Sequence, residues 1–276
     1  MKVVAVIQAR MGSTRLPGKV LLPLQGRPLL ERMLARVRQA KSLDEIVIAT
    51  THLAIDESIR RLATACGVLC VSGHPTDLVD RHLEAARVSD ADAVVKIPSD
   101  CPLIDPAVID QTVGFYRAQH PRFDFVSNLH PPTWPDGNDV EVMSRAALET
   151  TWQEAKRPFQ REHTTPFIWD QPERFKLGSV VWSTGLDVSA THRLTLDYPE
   201  DYELIKAVFE ALHHEDAPAF TVDAILRYLN THPAVRALNG ARAGHSWMLA
   251  HRSELRTLGP LPAGGGDLVP RTEVIR

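Results

Sequence analysis

The apolar positions change period several times along the chain, and each change marks an element. Val3 to Ile7 is an unbroken apolar run, which suits a strand buried on both faces. From Pro28 to Gln39, Leu29, Leu30, Met33, Leu34 and Val37 recur at helical spacing, and Pro28 suits a first helical turn. Glu45–Thr51 then reads as a strand around Ile46-Val47-Ile48-Ala49. Asp56–Cys66 reads as a helix on Ile59, Leu62 and Ala63, and Val68–Val71 as a short strand. A helix over Asp77–Val88, capped by Thr76, and a strand over Ala93–Ile97 complete the series. Alternation of strand and helix through the first third of the chain predicts a parallel, doubly wound α/β sheet.

The middle of the chain breaks that rhythm. Phe123–Asn128 reads as a strand, Pro131–Gly137 as a proline-rich loop, and Asp139–Val142 as a strand with one wet face. Ser144 caps a helix running to Ala155. Pro166–Asp170, Lys176–Trp182 and His192–Leu196 are predicted to continue the sheet or an excursion from it, a place that often houses a lid or dimer arm. Helices follow at Glu200–His213 and Thr221–Asn230, and another is expected over His245–Leu258. Gly259–Arg276 reads as a tail, and its Leu268-Val269-Pro270-Arg271 resembles a protease site used in recombinant expression. No internal repeat is visible.

The first strand runs into a loop with Gly12, Ser13, Thr14, Pro17 and Gly18, and with cations at Arg10, Arg15 and Lys19. In an open α/β sheet this end of the strand lies at the ligand crevice. Small residues let backbone N–H groups close around an anion, and the cations neutralise it. The loop therefore reads as a polyphosphate cradle; the plainer reading is a solvated basic loop. Neither the P-loop pattern nor Gly-x-Gly-x-x-Gly is present. Lys19 sits on a polar loop in this reading, so its removal should leave the fold intact. Asp100, at the end of the fourth strand, falls near the cations and is a natural Mg²⁺ ligand, or else a turn or capping residue.

Composition narrows the class. With 276 residues the chain forms one large domain, or one with a sub-domain, and 44 % apolar content supports a full core. A net charge of −3 without a basic block argues against a nucleic-acid binder, and the tryptophans do not alternate with cations. Cys66, Cys70 and Cys101 suggest reduced thiols in a cytoplasmic protein. Cys66, Cys70 and His74 could hold zinc, although a core role suits the cysteines better. No apolar run is long enough to span a membrane, and no signal peptide precedes Val3.

The eleven residues Ala9-Arg10-Met11-Gly12-Ser13-Thr14-Arg15-Leu16-Pro17-Gly18-Lys19 resemble the signature loop of the CMP-sugar synthetases. That family includes the CMP-Kdo and CMP-sialic acid synthetases, and the resemblance is closest to its spore-coat-polysaccharide branch. It extends over about residues 3–230. It implies a three-layer nucleotidyltransferase fold with a mixed sheet and an inserted sub-domain over about 120–190 that builds a homodimer. Residues 1–236 would form this domain and 237–276 a C-terminal helix and tail. The implied reaction transfers CMP from CTP to a sugar acid or related acceptor and releases pyrophosphate, for surface polysaccharide or glycoconjugate synthesis. Two alternatives remain open. One is a nucleotidyltransferase using another NTP or a phosphorylated acceptor. The other is a glycosyltransferase or nucleotide-sugar binder, whose Asp-x-Asp letters occur only at Asp90-Ala91-Asp92, before a strand rather than after one.

The resemblance also assigns roles. Ala9, Arg10, Met11, Gly12, Ser13, Arg15 and Lys19 would hold the nucleotide, with Thr50, Thr51 and Ser99 at neighbouring strand ends. Arg81 would face the nucleotide or be an exposed helical arginine. Asp100 in Asp100-Cys101-Pro102-Leu103-Ile104 and Asp197 in Asp197-Tyr198-Pro199-Glu200-Asp201 would bind Mg²⁺. Glu200 and Asp201 are ordinary helix-start acids on this reading, so Asp201→Asn should cost little. Asn128, Asp139, Glu141, Arg161 and His163 would meet the acceptor; His163 could instead cap a helix.

Overall fold

In the computed structural model, which describes residues 1–245, 248, 251–257 and 273–275, the apolar run becomes β1 (Val3–Gln8). Parallel strands flank it on both sides: β2 (Glu45–Thr51) with β3 (Leu69–Gly73) beyond it, and β4 (Ala93–Pro98) on the other side. Next to β4 the sheet changes character. Strands β5 (Phe125–Ser127), β6 (Glu141–Ser144), β7 (Leu177–Val180) and β8 (Glu273–Ile275) give the order β3-β2-β1-β4-β6-β5-β7-β8. β6 runs antiparallel to both neighbours, so the sheet is mixed. Residues 120–190 thus supply three strands to the same sheet as β1.

Alternation along β1 sorts its side chains into two layers. Val3, Ala5 and Ile7 face α1 (Leu29–Val37), α2 (Glu57–Ala65) and α4 (Pro106–Ala118) through Met33, Ile59 and Ile109. Val4 and Val6 face α3 (Leu78–Val88) and α5 (Arg145–Glu154) through Val79, Leu83 and Leu148. This gives three layers. Two short helices, α6 (Pro158–His163) and α7 (Pro166–Trp169), precede β7. A third apolar cluster joins α8 (Pro199–Leu212) and α9 (Val222–Thr231) to Leu103, Leu194 and Leu196, and α10 (Pro233–Ala237) follows.

Several expectations change. The sequence reading assigned no helix to 106–118, yet Asp105 caps α4 by accepting from Ala107 N–H at 2.9 Å, and Pro106 opens it. Asp77, not Thr76, caps α3, accepting from Asp80 N–H at 2.9 Å. Pro166–Trp169 is one helical turn rather than a strand, in keeping with proline at its first position. Residues 192–196 join no ladder; Arg193 makes only an isolated bridge with Asp136. Leu194 and Leu196 do share an apolar face, as their alternation implied. Residues 273–275 pair with β7 rather than trailing free. The helix expected over 245–258 falls partly outside the described residues, and those described include a 3-10 turn at Arg252–Glu254. Among the described residues no helix is long and apolar enough to cross a membrane.

Candidate active site

The chain leaves β1 toward β2 and β3 on one side and then crosses back to place β4 on the other, so a crevice opens at the carboxyl ends of β1 and β4. The cationic loop starts there, with Ala9 N–H donating to the Ala49 carbonyl at 3.0 Å. Asp56 fixes it, accepting from Met11 N–H at 2.6 Å and from the Thr51 hydroxyl. The Met11 carbonyl accepts from Ser13 N–H at 2.9 Å and Gly18 N–H at 3.0 Å, which closes the loop on itself. Gly18 has φ +70°, and a Cβ there would lie 3.3 Å from Met11 Cε. Arg10 leans away to the Pro75 carbonyl at 3.1 Å.

Lys19 is not on a solvated loop. It is buried in a 3-10 turn, with Nζ donating to Asp100 Oδ2 at 3.2 Å, Asp197 Oδ1 at 3.0 Å and the Leu196 carbonyl at 2.6 Å. Arg15 Nη2 joins the same Asp197 oxygen at 2.7 Å. Burial opposes the Lys19 charge, but Asp100 and Asp197 outweigh it and raise its pKa. Burial likewise works against the Asp197 carboxylate, and Lys19, Arg15 and Arg193 hold its pKa below the ordinary value. Two carboxylates 97 positions apart in sequence therefore converge on one cation. The cause is local: the Asp100 carbonyl accepts from Leu196 N–H at 2.8 Å and Thr195 Oγ1 at 3.1 Å, stitching the strap 193–197 to the end of β4. Among the described residues no group of three or more His, Cys, Asp or Glu side chains is placed to hold a metal. A two-carboxylate donor set fits Mg²⁺, which completes its shell with phosphate oxygens and water.

Behind Asp197 lies a network that the motif reading did not single out. Arg193, 4 % exposed, donates to Asp197 Oδ2 at 3.1 Å, to both oxygens of Asp201, and to Asp136 Oδ2 at 3.0 Å. Asp201 is fully buried and also accepts from the backbone N–H of Asp197 at 2.9 Å and of Tyr198 at 3.0 Å. Asn239 Nδ2 donates to Asp201 at 2.8 Å and to the Arg193 carbonyl at 3.0 Å. Asp201 is therefore a hub rather than an ordinary helix-start acid. The signal was present in Arg193-Leu194-Thr195-Leu196-Asp197, where polar residues alternate with a buried leucine face. Gly137 is required beside this strap: at φ +103° its Cβ would fall 2.6 Å from the Leu194 carbonyl carbon.

The remaining predicted residues form two further groups. On the β2 side, Thr50, Thr51 and Arg81 are buried together near Ala49. Arg81 is not an exposed helical arginine; it is 1 % exposed, its Nη1 donates to the Ala49 carbonyl at 3.4 Å, and its Nε has no partner. Burial, then nearby Arg10, lower its pKa to about 10. Ser99 is buried at the end of β4. On the β6 side, Glu141 pairs with buried Lys96 and accepts from Thr165 Oγ1 at 2.6 Å. Asp139 is half-buried, and desolvation together with Asp100 and Glu141 raises its pKa to about 7. Burial and then Lys96 push His163 down to about 3. Asn128 binds backbone with both ends of its amide, to the Asn138 carbonyl at 2.6 Å and Val140 N–H at 2.9 Å. Arg161 is engaged by Asp77 and by the Trp152 carbonyl at 2.6 Å. Cys66, Cys70 and Cys101 are free thiols.

Comparison with known proteins agrees with this geometry. A cytidylyltransferase from Leptospira borgpetersenii superimposes with a TM-score of 0.79 at 33 % identity, over 85 % of this chain and 96 % of that one. The spore coat polysaccharide biosynthesis protein SpsF of Bacillus subtilis is 29 % identical over 83 % of this chain and 94 % of its own. The 3-deoxy-manno-octulosonate cytidylyltransferase of Bdellovibrio bacteriovorus is 39 % identical, over 48 % of this chain and 52 % of its own. The cytidylyltransferase family model matches residues 4–224, which take in the cationic loop, both converging carboxylates and the strap that carries Asp197, and the chain belongs to that family.

Proposed function

We propose that this cytidylyltransferase moves CMP from CTP to a sugar acid, with Mg²⁺ as its metal and pyrophosphate as the second product. The observation that carries the reading is the convergence of Arg15, Lys19, Asp100 and Asp197 at the crevice. The family and a relative named for 3-deoxy-manno-octulosonate support the nucleotide and the acceptor class.

Arg10, Ser13, Arg15 and the loop amides bind the triphosphate, while Thr50, Thr51 and Arg81 line the base side. Asp100 and Asp197 hold Mg²⁺, which when bound neutralises phosphate charge. The acceptor hydroxyl oxygen attacks the α-phosphorus in line and loses its proton to solvent, while the bond to the pyrophosphate oxygen breaks and pyrophosphate leaves. The chain mainly positions groups and stabilises charge in such transfers. Lys19, fixed by three acceptors, presents a preorganised positive charge to the α-phosphate and the departing pyrophosphate. Asp139, Glu141 and His163 serve the acceptor, with Asn128 holding the 138–140 backbone and Arg161 held by Asp77. Three free thiols suit a reducing cytoplasm, and exposed Leu186, within the 120–190 region, suits a homodimer contact.

The test is pyrophosphate release from purified protein with each NTP, with and without Mg²⁺, across a panel of sugar acids. CTP-specific, acceptor-dependent release is expected. Equal use of all four nucleotides, or release that requires a sugar 1-phosphate, would replace this reading.

A further inference from the structure

We infer that Arg193 is a positioning residue for the reaction, acting through Asp197. This rests on the reading of Asp100 and Asp197 as the metal carboxylates. The two oxygens of Asp197 have different partners. Oδ1 faces Lys19 and Arg15 at the crevice, at 3.0 and 2.7 Å. Oδ2 faces inward and receives Arg193 Nη2 at 3.1 Å. A carboxylate held through one oxygen presents the other in a single direction. Partners behind a ligand orient it and tune its affinity.

Arg193 is itself held so that it cannot follow Asp197 outward. Its Nε and Nη2 fork onto Asp201 at 2.9 and 3.1 Å, and Nη1 is anchored by Asp136 at 3.0 Å. Asn239 clamps Asp201 and the Arg193 carbonyl together. The planar guanidinium thus divides three fixed directions among three carboxylates, which a lysine ammonium reproduces poorly. None of these contacts is with the crevice side of Asp197, and Arg193 is buried, so its role is to set geometry.

A cavity of about 480 Å³ lies on the far side, lined by Arg193, Asn239, His192 and Arg236. Truncating Arg193 next to this cavity would open its place to a small cation, which makes chemical rescue a usable readout.

The experiment measures Mn²⁺ affinity in the presence of CTP, and the Mg²⁺ dependence of pyrophosphate release, on full-length protein. Variants are Arg193→Ala and Asn239→Ala. Arg193→Ala should bind metal about tenfold or more weakly, the usual range for loss of a group that orients a ligand. Low-millimolar guanidinium, but not equal sodium chloride, should recover part of the affinity. Asn239→Ala should shift affinity the same way by less. A folded Arg193→Ala protein with wild-type metal affinity overturns the inference. If Arg193→Ala does not fold, Asn239→Ala with unchanged affinity overturns it. A loss that guanidinium leaves untouched, matched by equal loss of metal-free CTP binding, marks general collapse and also overturns it. Wild-type protein that binds no Mn²⁺ with CTP removes the metal reading and this inference together. Wild-type binding with an unaffected Arg193→Ala removes only the latter.

Discussion

Asp201→Asn separates two accounts of one residue. If Asp201 only complements the dipole of α8, its charge contributes about 0.3–1 kcal/mol. The contacts say otherwise. Oδ1 accepts from Arg193 Nε and Asn239 Nδ2; Oδ2 accepts from Arg193 Nη2 and two backbone N–H groups. Asparagine has one acceptor oxygen. Placed to keep the three donors at Oδ2, its amide nitrogen meets two donors at the other site. Placed the other way, it meets three. At least two hydrogen bonds are lost, and Arg193 loses the carboxylate that it grips with two nitrogens. The site has no exposure through which water could substitute. Breaking one side of a buried ion pair costs about 3–5 kcal/mol. Asp136 and Asp197 still face Arg193, so the lower half of that range is expected. For a chain of this size that corresponds to a melting temperature lower by roughly 5–15 °C. Urea unfolding of Asp201→Asn and wild type, followed by circular dichroism at neutral pH, measures it. A loss below about 1 kcal/mol would refute the hub argument and restore the dipole account.

Lys19→Ala should lower turnover by about two to three orders of magnitude, the scale for one preorganised charge-stabilising donor. It should also lower stability, because Asp100, Asp197 and the Leu196 carbonyl lose a shared donor; pyrophosphate release and a melting curve report both. Asp100→Asn and Asp197→Asn should each raise the Mg²⁺ needed for turnover, and the double variant should lose less than the product of the two. Asp139 has its folded pKa raised to about 7 from an unfolded value near 3.9, so it costs stability progressively as pH rises through that window. Asp139→Asn should therefore raise the melting temperature relative to wild type more at pH 8 than at pH 5. Gly137→Ala should cost about 1–3 kcal/mol or more, since an alanine at φ +103° is strained and collides with the strap; unchanged stability would contradict the packing there.

Periodicity carried most of the parallel half of the fold. β1 to β4 and the helices between them were legible because each has a clean apolar period of one kind. The helix at 106–118 escaped because it follows a proline-rich turn, although its signature of Asp105 then Pro106 was present. Residues 166–169 misled because four apolar positions in a row fit a strand or a buried turn equally well. The cationic loop and both converging carboxylates were readable as motifs. The environment of Lys19 was not, because its burial is created by a strap far along the chain. Arg193 and Asp201 were hidden for a related reason. Their partners, Asp136, Asp197 and Asn239, come from three segments that only tertiary packing brings together.

The stitch between the Asp100 carbonyl and the strap 193–197 also has a meaning in time. Synthesis adds about 5–20 residues per second, so residue 197 leaves the ribosome roughly 5–20 s after residue 100. During that interval Lys19 has one of its two carboxylates, Arg15 lacks Asp197, and the Asp100 carbonyl lacks Thr195 and Leu196. Asn239, which fastens Asp201, arrives later still. The crevice is thus half-built from the amino-terminal side and completed from the other end of the chain. A chain cut short before the strap would retain the phosphate-loop sequence but have no means of assembling the centre.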